Sequence, residues 1–427
     1  MPRSVRLRSA VLPALPAALS IALSLAWGGA ALAAGPDAAL LQAAQAAQPG
    51  VVQSLKEMVS IESGSHDVEG LNRMAAYTEK RLKALGASVE RVPAAQGHGP
   101  IVKGTLEGTG RGRILLIAHM DTVYARNTLA SQPIREEGNK LYGPGIADDK
   151  GGIAVILHAL EIMKAQGWKD FARVTVLFNA DEEIGSLGSG ATIAALGAEH
   201  DVVLSCEPNP AKAVAKTESL LLGAAGTASA TMAVQGRAAH AGAAPELGRN
   251  ALMELAYQLQ QTRDVAKSVP GSQLNWTNAK AGDARNQIPA SASAFGDVRV
   301  TANGAAQKLQ AALQEKVNAG HLVPDTQTTI TMEEGRPPFV VNARGRELAA
   351  QAQKIYAELD GRPLTLFPGT GGATDAGFAG QSGKAAVVES FGLSGFGYHA
   401  RDEYIELDSI VPRLYLMTRM LQESGRN

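Results

Sequence analysis

Four acidic clusters punctuate this 427-residue chain: His119-Met120-Asp121, Asp148-Asp149-Lys150, Asp181-Glu182-Glu183 and Glu207. Carboxylates brought together inside a fold repel one another unless cations neutralise them or protons discharge them. Convergence of these clusters would therefore call for metal. A histidine among carboxylates, with no thiolate cluster, suits zinc or a similar transition ion better than an all-oxygen calcium cage. Each cluster also has a plainer reading. His-x-Asp after a strand is commonly structural, Asp-Glu-Glu is commonly a solvated turn, and Asp148-Asp149-Lys150 could open a helix whose N-terminus favours carboxylates.

What would position these residues is a set of short apolar runs. Arg113 to Ala118, Val174 to Phe178 and Val202 to Leu204 read as buried strands, and a cluster follows each. Asp67 to Leu85 reads as an amphipathic helix stopped by Gly86. Ile153 to Met163 carries apolar residues at helical spacing, and Ala38 to Ala47 is Ala/Gln-rich and helical. This alternation predicts an α/β domain with a mostly parallel sheet flanked by helices. In such sheets the carboxyl ends of the strands converge on one crevice.

The pattern then changes. Thr227 to Val234 (strand), Ala251 to Gln261 (helix), Gln273 to Thr277 and Ala292 to Val300 (strands), Ala305 to Val317 (helix) and Thr326 to Met332 (strand) spell β-α-β-β-α-β. That is the ferredoxin-like order of an α+β unit. Ala385 to Val388 and a helix over Asp408 to Gln422 resume the earlier style. The expectation is a catalytic domain over 34–221 and 336–427, interrupted by an inserted domain over 222–335.

Composition excludes several classes. The chain is 45% hydrophobic and 19% charged, with Lys+Arg 40 against Asp+Glu 41, so nothing points to a nucleic-acid partner. The single cysteine, Cys206, allows no intrachain disulfide, and a nucleophilic role for it would need a base that metal would use better. Arg3, Arg6 and Arg8, an uncharged apolar stretch from Ala10 to Trp27, and Ala31-Leu32-Ala33 form a secretory leader over 1–33. The expectation is cleavage after Ala33 and a secreted or periplasmic protein without stable membrane insertion. The alternative is a retained anchor helix.

His119-Met120-Asp121, Gly145-Ile-Ala-Asp148-Asp149-Lys150-Gly151-Gly152, Asp181-Glu182-Glu183-Ile-Gly185-Ser186, Gly236-Arg-Ala-Ala-His240 and Tyr398-His399, in that order, resemble co-catalytic zinc metallopeptidases. The resemblance is to the glutamate carboxypeptidase (carboxypeptidase G type) branch of the aminoacylase-like family, over nearly the whole mature chain. It implies two zinc ions per subunit, with cobalt or manganese as substitutes, bridged by Asp148 and a water. One ion would take His119 and Glu207, the other Glu183 and His399. Glu182 would be the general base, Asp121 would hold the second ring nitrogen of His119, and the Asp148–Asp149 peptide would be cis. The inserted domain would be a dimerisation or lid domain, making a homodimer. His240 would reach the other subunit's active site to stabilise an oxyanion. Arg336 would clamp a substrate carboxylate, a task suited to its planar fork, with Asn286 and Gly371 as further substrate contacts. His399 carries no strand signature and is chosen over His66 or His98 only on the resemblance. His158, His200 and His321 are read as surface or packing residues.

The activity implied is hydrolysis of the amide before a C-terminal glutamate in folate-like or N-acyl conjugates. The segment around Lys212 and Lys216 departs from glutamate-specific relatives. The competing readings are therefore an N-acyl-amino-acid deacylase or dipeptidase with the same machinery, a non-catalytic metal- or peptide-binding protein, and an exported structural protein without metal.

Overall fold

Ile114, Leu115, Leu116 and Ile117 are all inaccessible to solvent, because successive side chains of a strand point to opposite faces and here both faces are covered. Ile114 and Leu116 join one apolar cluster, Leu115 and Ile117 another. Burying each such side chain is worth about 1.5–3 kcal/mol, so this run fixes the centre of the domain. A computed structural model describes residues 35–95 and 99–426. The expected leader with its cleavage site, and His98, lie outside the described residues.

The strand Arg113–His119 lies in a six-stranded sheet of order Ser88–Val92, Ile101–Glu107, Arg173–Asn179, Arg113–His119, Val202–Ser205, Ala386–Val388. The last four are mutually parallel. The α/β class is as expected, with two antiparallel strands extending the parallel set at one edge. Those two were missed because Ser88–Val92 is half-exposed and has no apolar run. Register aligns the chemistry: His119 faces Asn179, and Ile117 faces Ser205. The loops carrying His119–Asp121, Asp181–Glu183 and Glu207 thus leave the same end of the sheet.

The helices Ala38–Val59, Lys150–Ala165 and Ile410–Arg426 pack together against one face. Lys150–Ala165 is buried on nearly every side, and Ala38–Val59 runs past Pro49 well beyond the expected end. Helix Val68–Leu85 starts on the Asp67 side chain, which accepts from the Gly70 N–H, and stops on Gly86 in the left-handed conformation. Gly190–Glu199 and Ala343–Ala357 were not anticipated. The first is too rich in Gly and Ala to show a helical stripe.

The six elements from Gly226 to Glu334 follow the expected order. They form an antiparallel sheet, Ser272–Ala281, Ser291–Val300, Gly226–Gln235, Gln327–Glu334. Helices Ala251–Thr262 and Ala305–Asn318 contribute to its own apolar cluster with Met232, Val234, Val298 and Leu309. Where the chain enters and leaves this sheet its two ends pair: the Thr227 N–H donates to the Arg336 carbonyl at 2.8 Å, and the Gly335 N–H to the Thr227 carbonyl at 2.9 Å. A smaller sheet pairs Ser394–Phe396 with Tyr404–Glu406, and the turn between them carries His399. Among the described residues no helix is long and apolar enough to cross a membrane.

Candidate metal centre

Five of the residues singled out in the sequence come together as two groups sharing Asp148. His119, Asp148 and Glu207 form one, and Asp148, Glu183 and His399 the other, with the ligand atoms of each within 4.8 Å of one another. Asp148 Oδ1 lies 2.9 Å from His119 Nε2, and Oδ2 lies 3.2 Å from His399 Nε2. Glu207 Oε1 is 3.8 Å from His119 Nε2, and Glu183 Oε2 is 3.0 Å from His399 Nε2. His119 is buried by the sheet, whereas His399 is 55% exposed and sits in the left-handed region at φ 60°. Few non-glycine residues adopt that conformation.

Hydrogen bonds to backbone hold these side chains in place. The Asp148–Asp149 peptide is cis. Asp149 serves as the N-cap of Lys150–Ala165, accepting from the Gly152 N–H, and also accepts from the His119 N–H. The helix-opening role and the metal-site role of this motif thus fall to adjacent residues. Glu403 accepts the N–H groups of Gly145, Ala147 and Asp148 at 2.9, 2.8 and 3.0 Å, which fixes the loop that presents Asp148. Glu389 accepts from the Glu207 N–H and from Thr374 Oγ1. Asp121 departs in detail from expectation. The nearer acceptor for His119 Nδ1 is its backbone carbonyl, at 3.0 Å, with its carboxylate at 3.3 Å. That carboxylate mainly receives the Glu182 and Glu183 N–H groups and Ser65 Oγ. Asp181 is structural: it accepts from Gly188, Ser189 and the Ser189 hydroxyl.

The electrostatics are those of a carboxylate cluster short of positive charge. Burial pushes Glu183, Glu207, Asp149 and Glu389 above the usual carboxylate range. Asp148 goes the other way: its hydrogen bonds to His119 and His399 outweigh burial and hold it low. Those bonds help raise His399 to about 10. His119 is pushed down by burial, yet the Asp121 and Asp148 carboxylates hold it well above the ordinary imidazole value. Glu183 Oε1 is buried with no hydrogen-bond partner. An unpaired buried carboxylate oxygen, two imidazoles and a shared carboxylate form a donor set that fits a pair of divalent transition ions.

Glu182 is buried beside this centre. Burial pushes its carboxyl up to about 8, while the nearby Arg336 guanidinium and His119 pull the other way. Arg336 is itself buried, with Nη1 2.6 Å from Glu182 Oε1. It also donates to the Glu182 and Ala373 carbonyls and to Ser186 Oγ, so its fork is engaged with the protein, as a buried charge must be. Arg336, Glu182, Glu183, Gly371 and His399 line a cleft of about 710 Å³, together with Arg299 from the antiparallel sheet. His240 and Asn286 belong to neither ion group nor to this cleft. Both are exposed, and they sit together on a two-residue ladder: His240 pairs with Gln287, and the Ala241 N–H donates to the Asn286 carbonyl at 2.8 Å. Of the remaining histidines, His158 and His200 are buried with hydrogen bonds to Ser54 and Thr175. His321 bonds Glu254.

Glu403, Glu389 and Asp375 went unnoticed in the sequence. The Asp375 carboxylate accepts from Asn179 Nδ2 and from Ser186 Oγ, bracing the loop of Glu182. Only their acidity next to Gly-rich or strand-end segments could have hinted at them. That signal is too common to select three positions.

A buried cluster of this composition, at the carboxyl ends of a parallel sheet and beside a glutamate of raised pKa, defines a metal-dependent hydrolase. Residues 115–423 match the sequence model of peptidase family M20/M25/M40, and the chain belongs to that family; it is a metallopeptidase or amidohydrolase. It is 42% identical over 411 residues to carboxypeptidase G2 of Pseudomonas sp. (strain RS-16), covering 96% of this chain and 97% of that protein. It is 29% identical over 332 residues to succinyl-diaminopimelate desuccinylase of Stenotrophomonas maltophilia (strain R551-3), covering 74% and 85%. Among solved structures it is similar to a tripeptidase of Staphylococcus aureus (TM-score 0.71, 18% identity, 89% of this chain and 99% of that one). It is also similar to the carboxypeptidase Sso-CP2 of Sulfolobus solfataricus (0.69, 16%, 88% and 99%). These two show the fold.

Proposed function

We propose that this protein is an exported zinc carboxypeptidase that hydrolyses the amide bond before a C-terminal glutamate, in N-acyl or folate-like conjugates. The observation that carries the reading is Asp148 shared between two ligand groups, with the buried base Glu182 beside them. The likeness to carboxypeptidase G2 over 96% of the chain supports the carboxypeptidase direction. Export rests on the leader read in residues 1–33.

His119, Asp148 and Glu207 would hold one zinc, and Asp148, Glu183 and His399 the other. When bound, such a pair polarises a carbonyl and acidifies water near neutral pH. Glu182 takes a proton at its carboxylate and returns it to the departing amine nitrogen. Asp121 keeps the His119 ring oriented. Arg336, Arg299 and Gly371 line the cleft assigned here to the amine side; Arg336 pairs with Glu182 and Arg299 with Asp297, so a substrate carboxylate would have to share one of these guanidinium groups. In a homodimer, His240 and Asn286 would complete the partner's cleft, consistent with their exposure together on one ladder.

The test is a hydrolysis panel containing pteroyl-glutamate and N-acyl derivatives of several amino acids, with metal measured on the same sample. Glutamate conjugates should turn over fastest. Glu182→Ala should keep its metal and lose about 10²–10⁴-fold in turnover, and retention of more than a hundredth of wild-type rate would refute the base assignment. The competing reading is a broader N-acyl-amino-acid deacylase or dipeptidase with the same machinery. Loss of glutamate preference in the panel would favour that reading.

A further inference from the structure

The two imidazoles of the candidate centre are held by different means. His119 ends a buried strand, and its Nδ1 has the Asp121 carbonyl at 3.0 Å. Among the described residues, His399 makes both of its polar contacts through Nε2, to Asp148 and Glu183. Its direction must therefore come from the turn that carries it. Residues 399–402 of that turn are exposed. The chain bends there through three left-handed residues, Gly397 at φ 81°, His399 at 60° and Asp402 at 63°. Packing orders such a segment poorly, so polar ties must hold it.

Two side chains from elsewhere in the chain reach the turn. The Tyr124 hydroxyl donates to the Ala400 carbonyl at 2.8 Å, and Arg135 Nη2 donates to Asp402 Oδ1 at 2.8 Å. Tyr124 follows Asp121 on the loop that leaves His119, so its hydroxyl joins the loops of the two ligand histidines. Burial and the nearby Glu403 carboxylate raise this phenol, which keeps it a donor well above neutral pH. Arg135 is itself placed: its guanidinium lies 3.9 Å from the Tyr142 ring centroid, and its Nε donates to Glu137 Oε1 at 2.8 Å.

We propose that Tyr124 and Arg135 are positioning residues for His399, locking its turn so that Nε2 faces Asp148 and Glu183 before an ion arrives. This role rests on the two-ion reading above. A loose turn would have to be ordered by the ion, which weakens binding, whereas a turn already ordered spares that cost. Neither side chain needs to touch the ion. The group of His119 and Glu207 is independent of these ties, because the sheet fixes His119, and Glu207 is held through its backbone by Glu389 and by the Gly392 N–H.

Zinc titration of the metal-free protein, read by calorimetry, tests this in two backgrounds. E207A leaves the His399 group whole, and there Y124F and R135Q should each weaken zinc binding about three- to tenfold, as expected for one lost hydrogen bond. E183A leaves the His119 group whole, and there the same substitutions should change nothing. Y77F, which removes a hydroxyl bonded to Glu57, should be neutral in both. Hydrogen exchange over residues 397–402 of the metal-free protein should speed up in Y124F, a readout that needs no ion. Zinc affinity unmoved by Y124F in E207A, or lowered equally in both backgrounds, overturns the positioning role. A wild type that takes up no zinc, combined with faster exchange in Y124F, would instead overturn the metal reading and leave the tie between Tyr124 and the turn standing.

Discussion

Nη1 of Arg336 lies 2.6 Å from Oε1 of Glu182, and both side chains are nearly inaccessible to solvent. The guanidinium in contact with the candidate base therefore belongs to the residue that closes the antiparallel segment, at the point where Thr227 and Arg336 pair. The two sheets thereby meet in the chemistry of one carboxyl group.

This pairing sets a pH signature. Burial raises Glu182 to about 8, and the Arg336 charge restrains the rise. Removing a nearby positive charge disfavours the carboxylate, so Arg336→Ala should move the acid limb of the kcat/KM profile to higher pH. Activity at pH 7 should fall tenfold or more, and Arg336→Lys, which keeps the charge, should shift the limb less. An acid limb that stays in place or moves down would contradict the pairing.

Glu403 is a positioning residue. Its carboxylate takes three backbone N–H groups of the loop that ends at Asp148. Glu403→Ala leaves three buried donors unpaired, each costing about 1–3 kcal/mol. The expected outcome is a large drop in thermal melting temperature together with weaker zinc binding in competition with a chelator. Glu403→Gln, with one oxygen acceptor, should fall between. Weaker zinc binding with unchanged melting would point instead to a direct role at the ions.

How much of this could be read from the chain alone varies with the kind of force involved. The strands ending at His119, Asn179 and Ser205 were legible because burial on both faces demands unbroken apolar runs, and the acidic clusters directly after them stand out. The order of the antiparallel segment was legible for the same reason: its strands alternate and its helices have stripes. His399 was not legible from pattern, because it is held by an irregular turn between two three-residue strands. Glu403 and Glu389 were not legible either, because they act through backbone N–H groups brought near only by the finished fold. Arg336 is singled out only on the resemblance, as a substrate-carboxylate clamp, and its engagement with Glu182 could not be read from the chain.

Away from the centre, Glu161 offers a stability test. Burial would raise its carboxyl, but hydrogen bonds from His158 and Arg81 outweigh this and hold it down to about 2. A carboxyl whose folded pKa is depressed stabilises the protein above its unfolded value, near 4.5, and that contribution fades as pH falls toward about 2. Because Glu161 is 41% exposed, solvent screening limits the effect to less than about 1 kcal/mol. Melting temperatures of wild type and Glu161→Gln should differ by a constant small amount between pH 7 and 5, then converge below pH 4.5. A gap that widens on acidification would contradict the assignment.

The sharing of Asp148 between two ligand groups is tested most directly by counting bound zinc per chain in dialysed samples of wild type, Glu207→Ala, Glu183→Ala and Asp148→Ala, each checked for folding by circular dichroism. Two ions in the wild type, one in each glutamate variant and none in the aspartate variant is the predicted pattern. A folded wild type without zinc, or an Asp148→Ala protein that still holds two ions, would contradict it.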